Sequence, residues 1–394
     1  MSPLRDTFFR RRVSSELEAL RDDAQFRTLD TPAGVNLHSN DYLGLASEPR
    51  LRQAVLEGAA RAASVGSTGS RLLSGNCHEW EALEADFAAF AGMESALYFG
   101  SGYAANLGLL NSLLQPGDIV FSDALNHASI IDGIRLSRVR KVIYPHCDLA
   151  ALEESLCAHR DHHGAKLIVS ETVFSMEGDI APVARLIEIA KSHGAELVLD
   201  EAHAIGVRGP HGRGIAAEHG IEREVLAIVY TCGKALASAG AFVGCSSELR
   251  HYLVNRARTF IFSTAMPPYL AHQIRAALGM VREAHGRRNH LSKIASVLRA
   301  ELALANFPPC HSSSQIVPVI FGENEAALRA AAKLQSAGFA VRAIRPPTVP
   351  VGTSRLRLSL TSKITWEDVH RLVAALGEAP RLSAERPANL VHVM

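Results

Sequence analysis

The sequence lacks a long uninterrupted apolar run. No window approaches the roughly 18 apolar residues that a membrane-spanning helix requires, and residues 1–6 do not begin the hydrophobic core of a secretion signal. The chain also lacks an excess of charge of one sign, because its net charge is only +1 at pH 7. We therefore expect neither a membrane nor a nucleic acid as partner.

Cysteine pairs at C-x-x-C spacing are also absent. The scatter of six cysteines is typical of reduced thiols and predicts a cytoplasmic protein, since disulfides are rare in the cytosol. Histidine is frequent, with 18 residues. Three of them fall within residues 159–163, which raises the alternative of a metal site. Because this stretch is polar and lies in a predicted turn, we expect no metal there.

The length of 394 residues favours two domains over one. A hydrophobic fraction of 47% and a charged fraction of 21% are typical of a globular protein with a large core. We predict an N-terminal helix and arm over 1–44, a large domain over 45–285 and a small C-terminal domain over 286–394.

Apolar runs of strand length alternate with helical periodicity from residue 95 onward. This alternation predicts an α/β fold with a mostly parallel central sheet flanked by helices. The C-terminal part changes to longer helices and fewer strands, which predicts a smaller α+β domain. The predicted strands are 95–99, 118–121, 140–144, 166–171, 196–200 and 225–230 in the large domain, and 315–320, 340–344 and 355–360 in the small one.

Lys234 stands alone just beyond the end of a predicted strand. An apolar run, 225–229, leads to Thr231-Cys-Gly-Lys, and an Ala/Ser/Gly-rich stretch follows. A lysine withdrawn from water loses its preference for the ammonium form, and its amine becomes a usable nucleophile. The alternative is a lysine that extends from a turn into solvent.

An acid ends the preceding predicted strand. Residues 196–200 read Glu-Leu-Val-Leu-Asp, and Glu-Ala-His203 follows. An aspartate and a lysine at two strand ends fit pyridoxal 5′-phosphate (PLP), which a lysine holds as a Schiff base and an aspartate binds at the pyridine nitrogen. The letters Asp-Glu-Ala-His also occur in helicases, which need a phosphate loop of the type G-x-x-x-x-G-K-[ST]. Alanine follows Lys234 here, so the helicase interpretation fails.

Polar or glycine-rich segments follow the other predicted strands. In open α/β sheets, ligands bind beyond the carboxyl ends of the strands. Gly100-Ser-Gly-Tyr-Ala-Ala-Asn106 opens a helix whose N–H groups can hold a phosphate. His127 and Ser175 follow two further strands. A tight turn or a helix cap explains each segment alone, but five strand ends with consistent groups predict one site.

Taken together, these motifs resemble the α-oxoamine synthases, which are PLP enzymes with the aspartate-aminotransferase fold. The resemblance rests on Gly-Ser-Gly-Tyr-Ala-Ala-Asn, Asn-His-Ala-Ser, Ser-Met-Glu-Gly-Asp, Asp-Glu-Ala-His and Thr-x-Gly-Lys in this order, and it extends over about residues 36–376. It implies that fold, PLP as the cofactor and a homodimer. It also implies an acyltransferase that joins an amino acid to an acyl thioester.

The resemblance further implies a role for each matching residue. Lys234 binds PLP covalently and later moves the α-proton, Asp200 pairs with the pyridine nitrogen, and His203 bonds the phenolic oxygen. His127 stacks on the ring and polarises the thioester carbonyl. The other implied cofactor contacts are Gly102, Tyr103, Ser175 and Thr231. The other implied substrate contacts are Arg21, Asn40, Arg345, Thr348 and Arg357.

The segment 343–360 most resembles the family members that act in biotin biosynthesis. This implies L-alanine and a pimeloyl thioester, carried by CoA or by an acyl-carrier protein, as substrates. A member that uses glycine or serine and a PLP-fold protein without activity stay open as alternatives. Arg357 and Arg345 are the expected carboxylate partners, because a guanidinium offers paired N–H groups. We expect Arg355 to lie on the opposite face of its strand from Arg357.

Overall fold

The structure is a computed structural model that describes residues 7–31 and 33–377. The first six residues of the predicted arm and the last 17 of the predicted small domain lie outside this part. The strands are β1 (Val35–Asn36), β2 (Ser95–Phe99), β3 (Ile119–Asp123), β4 (Arg140–Tyr144), β5 (Lys166–Glu171), β6 (Glu196–Asp200), β7 (Ala227–Thr231), β8 (Ala241–Cys245), β9 (Ile316–Gly322), β10 (Phe339–Ala340), β11 (Ala343–Ile344) and β12 (Ser354–Ser359). The helices are α1 (Phe8–Asp22), α2 (Pro49–Arg61), α3 (His78–Ala91), α4 (Gly102–Leu113), α5 (Ala128–Ser137), α6 (Leu149–Ala158), α7 (Val183–Ser192), α8 (Ile215–His219), α9 (Ser247–Arg256), α10 (Arg258–Ile261), α11 (Tyr269–Glu283), α12 (His285–Leu304), α13 (Asn324–Ser336) and α14 (Trp366–Leu376).

Seven strands form the central sheet in the order β2-β8-β7-β6-β5-β3-β4. Strands β3 to β7 run parallel, whereas β8 is antiparallel to both of its neighbours, β2 and β7. Strand β2 therefore points the same way as β7, and the carboxyl ends of β2, β3, β5, β6 and β7 share one edge. The predicted α/β class with a mostly parallel sheet is confirmed.

The strand predictions agree with the structure to within two residues in the large domain, because buried parallel strands are continuous apolar runs. The predictions miss β8. Its five residues, Ala-Phe-Val-Gly-Cys, follow directly on the Ala/Ser/Gly-rich stretch after Lys234, so no turn signal or change of composition separates them from it.

Apolar side chains are buried on both faces of the sheet. Along β7, Ile228 and Tyr230 belong to one core cluster, whereas Val229 between them belongs to the other. This alternation follows from the two-residue period of a strand. In the first cluster the rings of Phe87 and Phe242 stack at 3.9 Å, so helix α3 is fixed against β8. The sheet edge that carries the polar residues is thereby held by a core on both sides.

The C-terminal part forms a smaller three-stranded sheet in the order β11-β12-β9, all antiparallel. The predicted helical region 269–306 is confirmed but consists of two helices, α11 and α12, which meet at Ala284. Strand β1 pairs with β10, so the N-terminal arm is attached to this C-terminal part. The proposed domain boundaries stay a prediction.

Within the described residues, no helix combines the length and the apolar character that crossing a membrane requires. All six cysteines lie in the described part, and each is a free thiol.

Helix α3 offers a test of the core. Leu83 on α3 is fully buried, whereas Leu304 at the end of α12 is 83% exposed. We expect Leu83→Ala to lower the free energy of unfolding by about 2–5 kcal/mol, because it removes apolar contacts and leaves a cavity. The matched change Leu304→Ala should cost less than about 0.5 kcal/mol. Urea unfolding followed by circular dichroism measures both, and equal losses would contradict the packing of α3.

Candidate active site

Side chains from several strand ends converge at the carboxyl edge of the central sheet. Asp200 is the last residue of β6, and Lys234 lies three residues beyond β7. His127 caps the N-terminus of α5, after β3, and Ser175 lies in the turn after β5. This is the edge at which ligands bind in open α/β sheets.

The Lys234 amine lies 2.8 Å from Nε2 of His203, so it points into the site. The surrounding protein withdraws it from water, which lowers its pKa to about 8, although the carboxylates of Asp200 and Glu171 favour the charged form. With that pKa, about a tenth of the molecules carry a neutral amine at pH 7, against fewer than about one in a thousand for an ordinary lysine. The amine is therefore available as a nucleophile near neutral pH.

The carboxylate of Asp200 is buried and held by two donors. The side-chain amide of Asn106 donates to Oδ2 at 2.7 Å, and the Ala202 N–H donates to Oδ1 at 2.8 Å. Asn106 also donates to the hydroxyl of Ser129 at 3.0 Å. Asn106 ends the glycine-rich motif that opens α4, and the sequence alone predicts no role for it. Its place four residues after Gly102 on α4 was the signal, because residues four apart share a helix face.

His203 lies between the lysine and a buried tyrosine. Its Nδ1 is 2.6 Å from the hydroxyl of Tyr42, and its carbonyl accepts from Gln315 at 2.9 Å. Burial, with the nearby charges of Lys234 and Arg357, holds the pKa of His203 well below its usual range. The ring is thus neutral at neutral pH, so one nitrogen donates and the other accepts. Sequence analysis missed Tyr42 and Gln315.

His127 acts as a helix cap as well as a site residue. Its Nδ1 accepts from the backbone N–H of Ser129 at 3.2 Å, and its ring stands edge-on to Tyr103 with centroids 6.4 Å apart. Desolvation lowers the pKa of His127, with Asp200 opposing and Lys234 adding to the shift. Since Nδ1 accepts a hydrogen bond, the neutral ring carries its proton on Nε2.

The N-terminus of α4 lies beside the end of β7. Ser101 caps the helix by accepting from Ala104 N–H at 3.0 Å. A Cβ added to Gly102 would lie 2.6 Å from the Thr231 methyl carbon, so this approach requires glycine. The hydroxyl of Thr231 donates to the Ala202 carbonyl at 3.3 Å, and that of Tyr103 donates to Asp132. Free N–H groups and a helix dipole here suit a phosphate.

Arg357 lies at the same site on β12 and is buried. Its Nε donates to the Ser175 carbonyl, and its Nη1 donates to Asn40 Oδ1 at 3.1 Å. The same Asn40 oxygen lies 3.1 Å from the Tyr42 hydroxyl. Three residues predicted from distant parts of the sequence, Asn40, Ser175 and Arg357, are therefore brought together. Their predicted roles stay predictions.

The expectation for Arg355 is wrong. Residues two apart on a strand share a face, and Arg355 lies beside Arg357 with its Nη1 2.9 Å from Glu177 Oε1. Both guanidinium groups thus grip the turn that follows β5.

The other predicted substrate residues lie at the arm that follows α1. Arg345 donates to the carbonyls of Ala24 and, at 3.3 Å, of Phe26. The Arg21 guanidinium lies 4.5 Å from the centre of the Phe26 ring, and Thr348 accepts from Arg27 at 3.5 Å. The structure therefore places Arg21, Arg345 and Thr348 near one another but in contact with the arm rather than with the residues around Lys234.

The histidine cluster at 159–163 forms no metal-ligand group in the described residues, and His159 Nδ1 bonds the Ser155 carbonyl at 2.7 Å. The group of suitable spacing is Asp123, His146 and Cys147. It lies elsewhere in the fold, beside the ends of β3 and β4.

The residues present fit PLP. An amine of lowered pKa and a carboxylate held by hydrogen bonds share the site with a helix N-terminus that suits a phosphate.

Glu171 pairs in register with Asp200 on the adjacent strand, and its buried Oε1 has no hydrogen-bond partner. Burial raises the pKa of Glu171 well above its usual range, and the charge of Asp200 adds to this. Sequence analysis missed Glu171, although it ends an apolar strand as Asp200 does. That position was the signal that could have found it.

Comparison with known proteins agrees with this geometry. Residues 32–376 match the family model described as aminotransferase class I and II. The proteins named 8-amino-7-oxononanoate synthase from Burkholderia mallei and Burkholderia pseudomallei are each 49% identical to the chain over 355 residues, which is 89% of this chain and 89% of theirs.

Solved structures of two enzymes are also similar to most of this chain. A serine palmitoyltransferase from S. paucimobilis with a bound PLP–myriocin aldimine is 29% identical with a TM-score of 0.85, over 92% of this chain and 95% of that one. The 8-amino-7-oxononanoate synthase from Francisella tularensis is 28% identical with a TM-score of 0.76, over 87% and 96%. This chain belongs to the class I and II aminotransferase family of PLP-dependent enzymes, among the 8-amino-7-oxononanoate synthases.

Proposed function

We propose that this chain condenses L-alanine with a pimeloyl thioester to give 8-amino-7-oxononanoate, CO2 and the free thiol carrier. The observation that carries the proposal is the partly buried Lys234 amine, 2.8 Å from His203, at the sheet edge that also holds Asp200. The 49% identity to relatives of that name over 89% of both chains supports the choice of substrates.

Bound PLP supplies an electron sink that stabilises negative charge at the α-carbon of an amino acid. Asp200 pairs with the pyridine nitrogen, and Asn106 keeps its carboxylate in place. His203 donates to the phenolic oxygen while Tyr42 holds its other nitrogen. With PLP bound, Lys234 would hold it covalently, and its neutral amine would move the α-proton of alanine.

His127 has two tasks in this proposal. With PLP bound, its ring would lie against the cofactor ring, and its Nε2–H would donate to the carbonyl oxygen of the thioester. The tautomer set by Ser129 leaves that proton free. The N–H groups of Gly102 and Tyr103, with the hydroxyls of Ser175 and Thr231, hold cofactor oxygens.

Two sets of residues bind the carboxylates of the substrates. Arg357, with Asn40 beside it, grips the carboxylate of alanine through the fork of its guanidinium. A pimeloyl thioester carries a second carboxylate at its far end. Arg21, Arg345 and Thr348, which lie together at the arm, receive that end of the acyl chain. The carrier is CoA or an acyl-carrier protein.

The active protein is a homodimer in the cytoplasm. Large apolar side chains on α1, namely Phe8, Phe9 and Val13, are 57–70% exposed in the single chain. Apolar surface of this kind is often covered by another subunit.

A second candidate is an enzyme of the same fold that uses serine or glycine. The TM-score of 0.85 to a serine palmitoyltransferase favours it, whereas the higher sequence identity favours alanine. A turnover assay of alanine, serine and glycine against pimeloyl and longer acyl thioesters separates the two. A protein without activity would bind PLP, show the visible absorbance of lysine-bound PLP and turn over none of these pairs.

Replacing the lysine tests the cofactor assignment. We expect Lys234→Ala to abolish turnover and the visible band of lysine-bound PLP, because no other amine replaces it. Lys234→Arg should fail equally, since a guanidinium stays protonated. Absorbance before and after borohydride reduction measures the band. A Lys234→Ala protein that kept both the band and the activity would disprove the assignment.

The lowered pKa of Lys234 predicts a pH dependence of cofactor capture. Below the pKa of about 8 the amine is protonated, so the rate of PLP capture by the apoprotein should rise about tenfold per pH unit and level off above pH 8. An ordinary lysine would keep the rate rising toward about pH 10. Stopped-flow absorbance from pH 6 to 10 measures the profile, and a rise that continues beyond pH 9 would contradict the pKa.

Arg357→Lys tests the carboxylate site. A lysine keeps the charge but loses the fork, so we expect the apparent affinity for alanine to fall about tenfold or more, on the order of 1.4 kcal/mol, while PLP binding changes little. Titrating alanine while following the visible band measures this. The control is Arg342→Lys, in the same predicted domain. Arg342 pairs with Asp30 at the arm, and its replacement should leave alanine binding unaltered. Unchanged affinity in Arg357→Lys would place the carboxylate elsewhere.

A further inference from the structure

His146 lies between two carboxylates, one at each ring nitrogen. Its Nδ1 is 2.9 Å from Asp123 Oδ1, and its Nε2 is 2.8 Å from Asp179 Oδ2. An ionised carboxylate only accepts hydrogen bonds, so both nitrogens must donate. A ring that donates from both nitrogens is an imidazolium. With both carboxylates ionised, this geometry places a positive charge on His146.

In the described part of the chain, the further contacts given for Asp123 and for the His146 ring are with neutral groups. Asp123 also accepts from the N–H groups of Leu125 and Cys147, each at 2.8 Å. Burial raises the pKa of the Cys147 thiol and of the Tyr144 hydroxyl, so both stay neutral near pH 7. The ring of Phe174 packs edge-on at 4.3 Å. Desolvation alone would lower the pKa of His146, but the hydrogen bonds to Asp123 and Asp179 raise it to about 12.

One of these carboxylates belongs to the turn that carries Ser175. The turn spans residues 173–180 and is closed by an isolated bridge between its two end residues, and the N–H of Phe174 donates to the Asp179 carbonyl at 3.1 Å. His146 fixes it from the side of the central sheet. Arg357 and Arg355 fix it from the small sheet, through the Ser175 carbonyl and the Glu177 carboxylate. The turn 173–180 therefore links the central sheet to the small sheet through charged side chains.

We propose that His146 is a positioning residue of the active site, a permanently protonated imidazole that holds the turn 173–180 where Ser175 meets Arg357. Without that charge, Asp123 and Asp179 face each other unneutralised, and the turn moves away from the sheet. Arg357 then loses the fixed partner that aims its guanidinium. His146 thus sets the affinity for the amino-acid carboxylate without touching it. This inference rests on the proposed role of Arg357.

A metal at Asp123, His146 and Cys147 is the competing explanation, because their ligand atoms lie within 4.8 Å of one another. A metal-bound imidazole nitrogen has lost its proton and turns its lone pair to the ion. Here each nitrogen faces a carboxylate oxygen at hydrogen-bond distance. Both ring nitrogens of His146 therefore carry protons, so neither has a lone pair to offer a metal ion.

The protonation state is tested first, by NMR of protein with ¹⁵N-labelled histidine. The His146 signals are assigned by their loss in His146→Gln. We expect both ring nitrogens to show imidazolium shifts, unchanged from about pH 6 to about pH 9, with and without PLP. Titration of these signals within that range overturns the proposal, and so does stoichiometric Zn²⁺ uptake that His146→Gln abolishes.

The positioning role is tested by alanine titration of His146→Gln and His146→Lys, each loaded with PLP. His146→Gln should weaken alanine binding about tenfold and keep the visible band of lysine-bound PLP. His146→Lys, which restores the charge, should recover most of the affinity, a rescue that a purely packing role would not give. The control is Arg185→Gln, which removes an exposed ion pair with Glu188 and should change nothing.

Alanine affinity of His146→Gln within about twofold of the parent, or equal losses in the Gln and Lys proteins, overturns the proposal. Should His146→Gln fail to fold, Asp179→Asn serves instead. It removes one carboxylate and should weaken alanine binding while leaving the band intact, and unchanged binding there also overturns the proposal. If the parent protein shows no response to alanine but His146 is an imidazolium, the proposed substrate fails rather than the charge.

Discussion

The register between β6 and β7 is the constraint on which the site depends. Asp200 ends β6, His203 lies three residues later, and Lys234 lies three residues beyond the end of β7. Because Asp200 pairs with Val229 across these strands, the sheet fixes where the amine and the imidazole meet. A slip of one residue would turn every side chain of β7 to the other face, and the apolar cores on both faces prevent it. The sheet thus sets the position of the Lys234 amine relative to His203.

The sequence predicts the large-domain strands well, since apolar runs that end in polar residues mark both the strands and the edge where ligands bind. Asp200, His203 and Lys234, which the structure brings together, are predicted in this way. Tyr42 and Gln315 are not, because each reaches His203 from a segment more than 100 residues away in the chain. Such contacts are decided by how the layers pack, which no local pattern reports. The position of Arg345 at the arm was unpredictable for the same reason.

The turn 173–180 shows how the two sheets act as one unit. Arg355 and Arg357 reach it from β12, and His146 holds it from behind. The scaffold alone does not determine the substrate, since serine palmitoyltransferases and 8-amino-7-oxononanoate synthases share it. Discrimination between amino acids and acyl chains must therefore lie in side chains rather than in the scaffold.

Strand β8 has a consequence for the order in which the protein is assembled. It lies between β2 and β7 and pairs with both, so β2 has no neighbour in the sheet until residues 241–245 have been synthesised. The helix that follows β2 is α4, whose first N–H groups suit a phosphate. During translation, β2 and the start of α4 can take their place in the sheet only after β8 has been made, nearly 150 residues later. Contacts between such distant residues form slowly, and the exposed edge of β2 is a surface on which the nascent chain can aggregate until then.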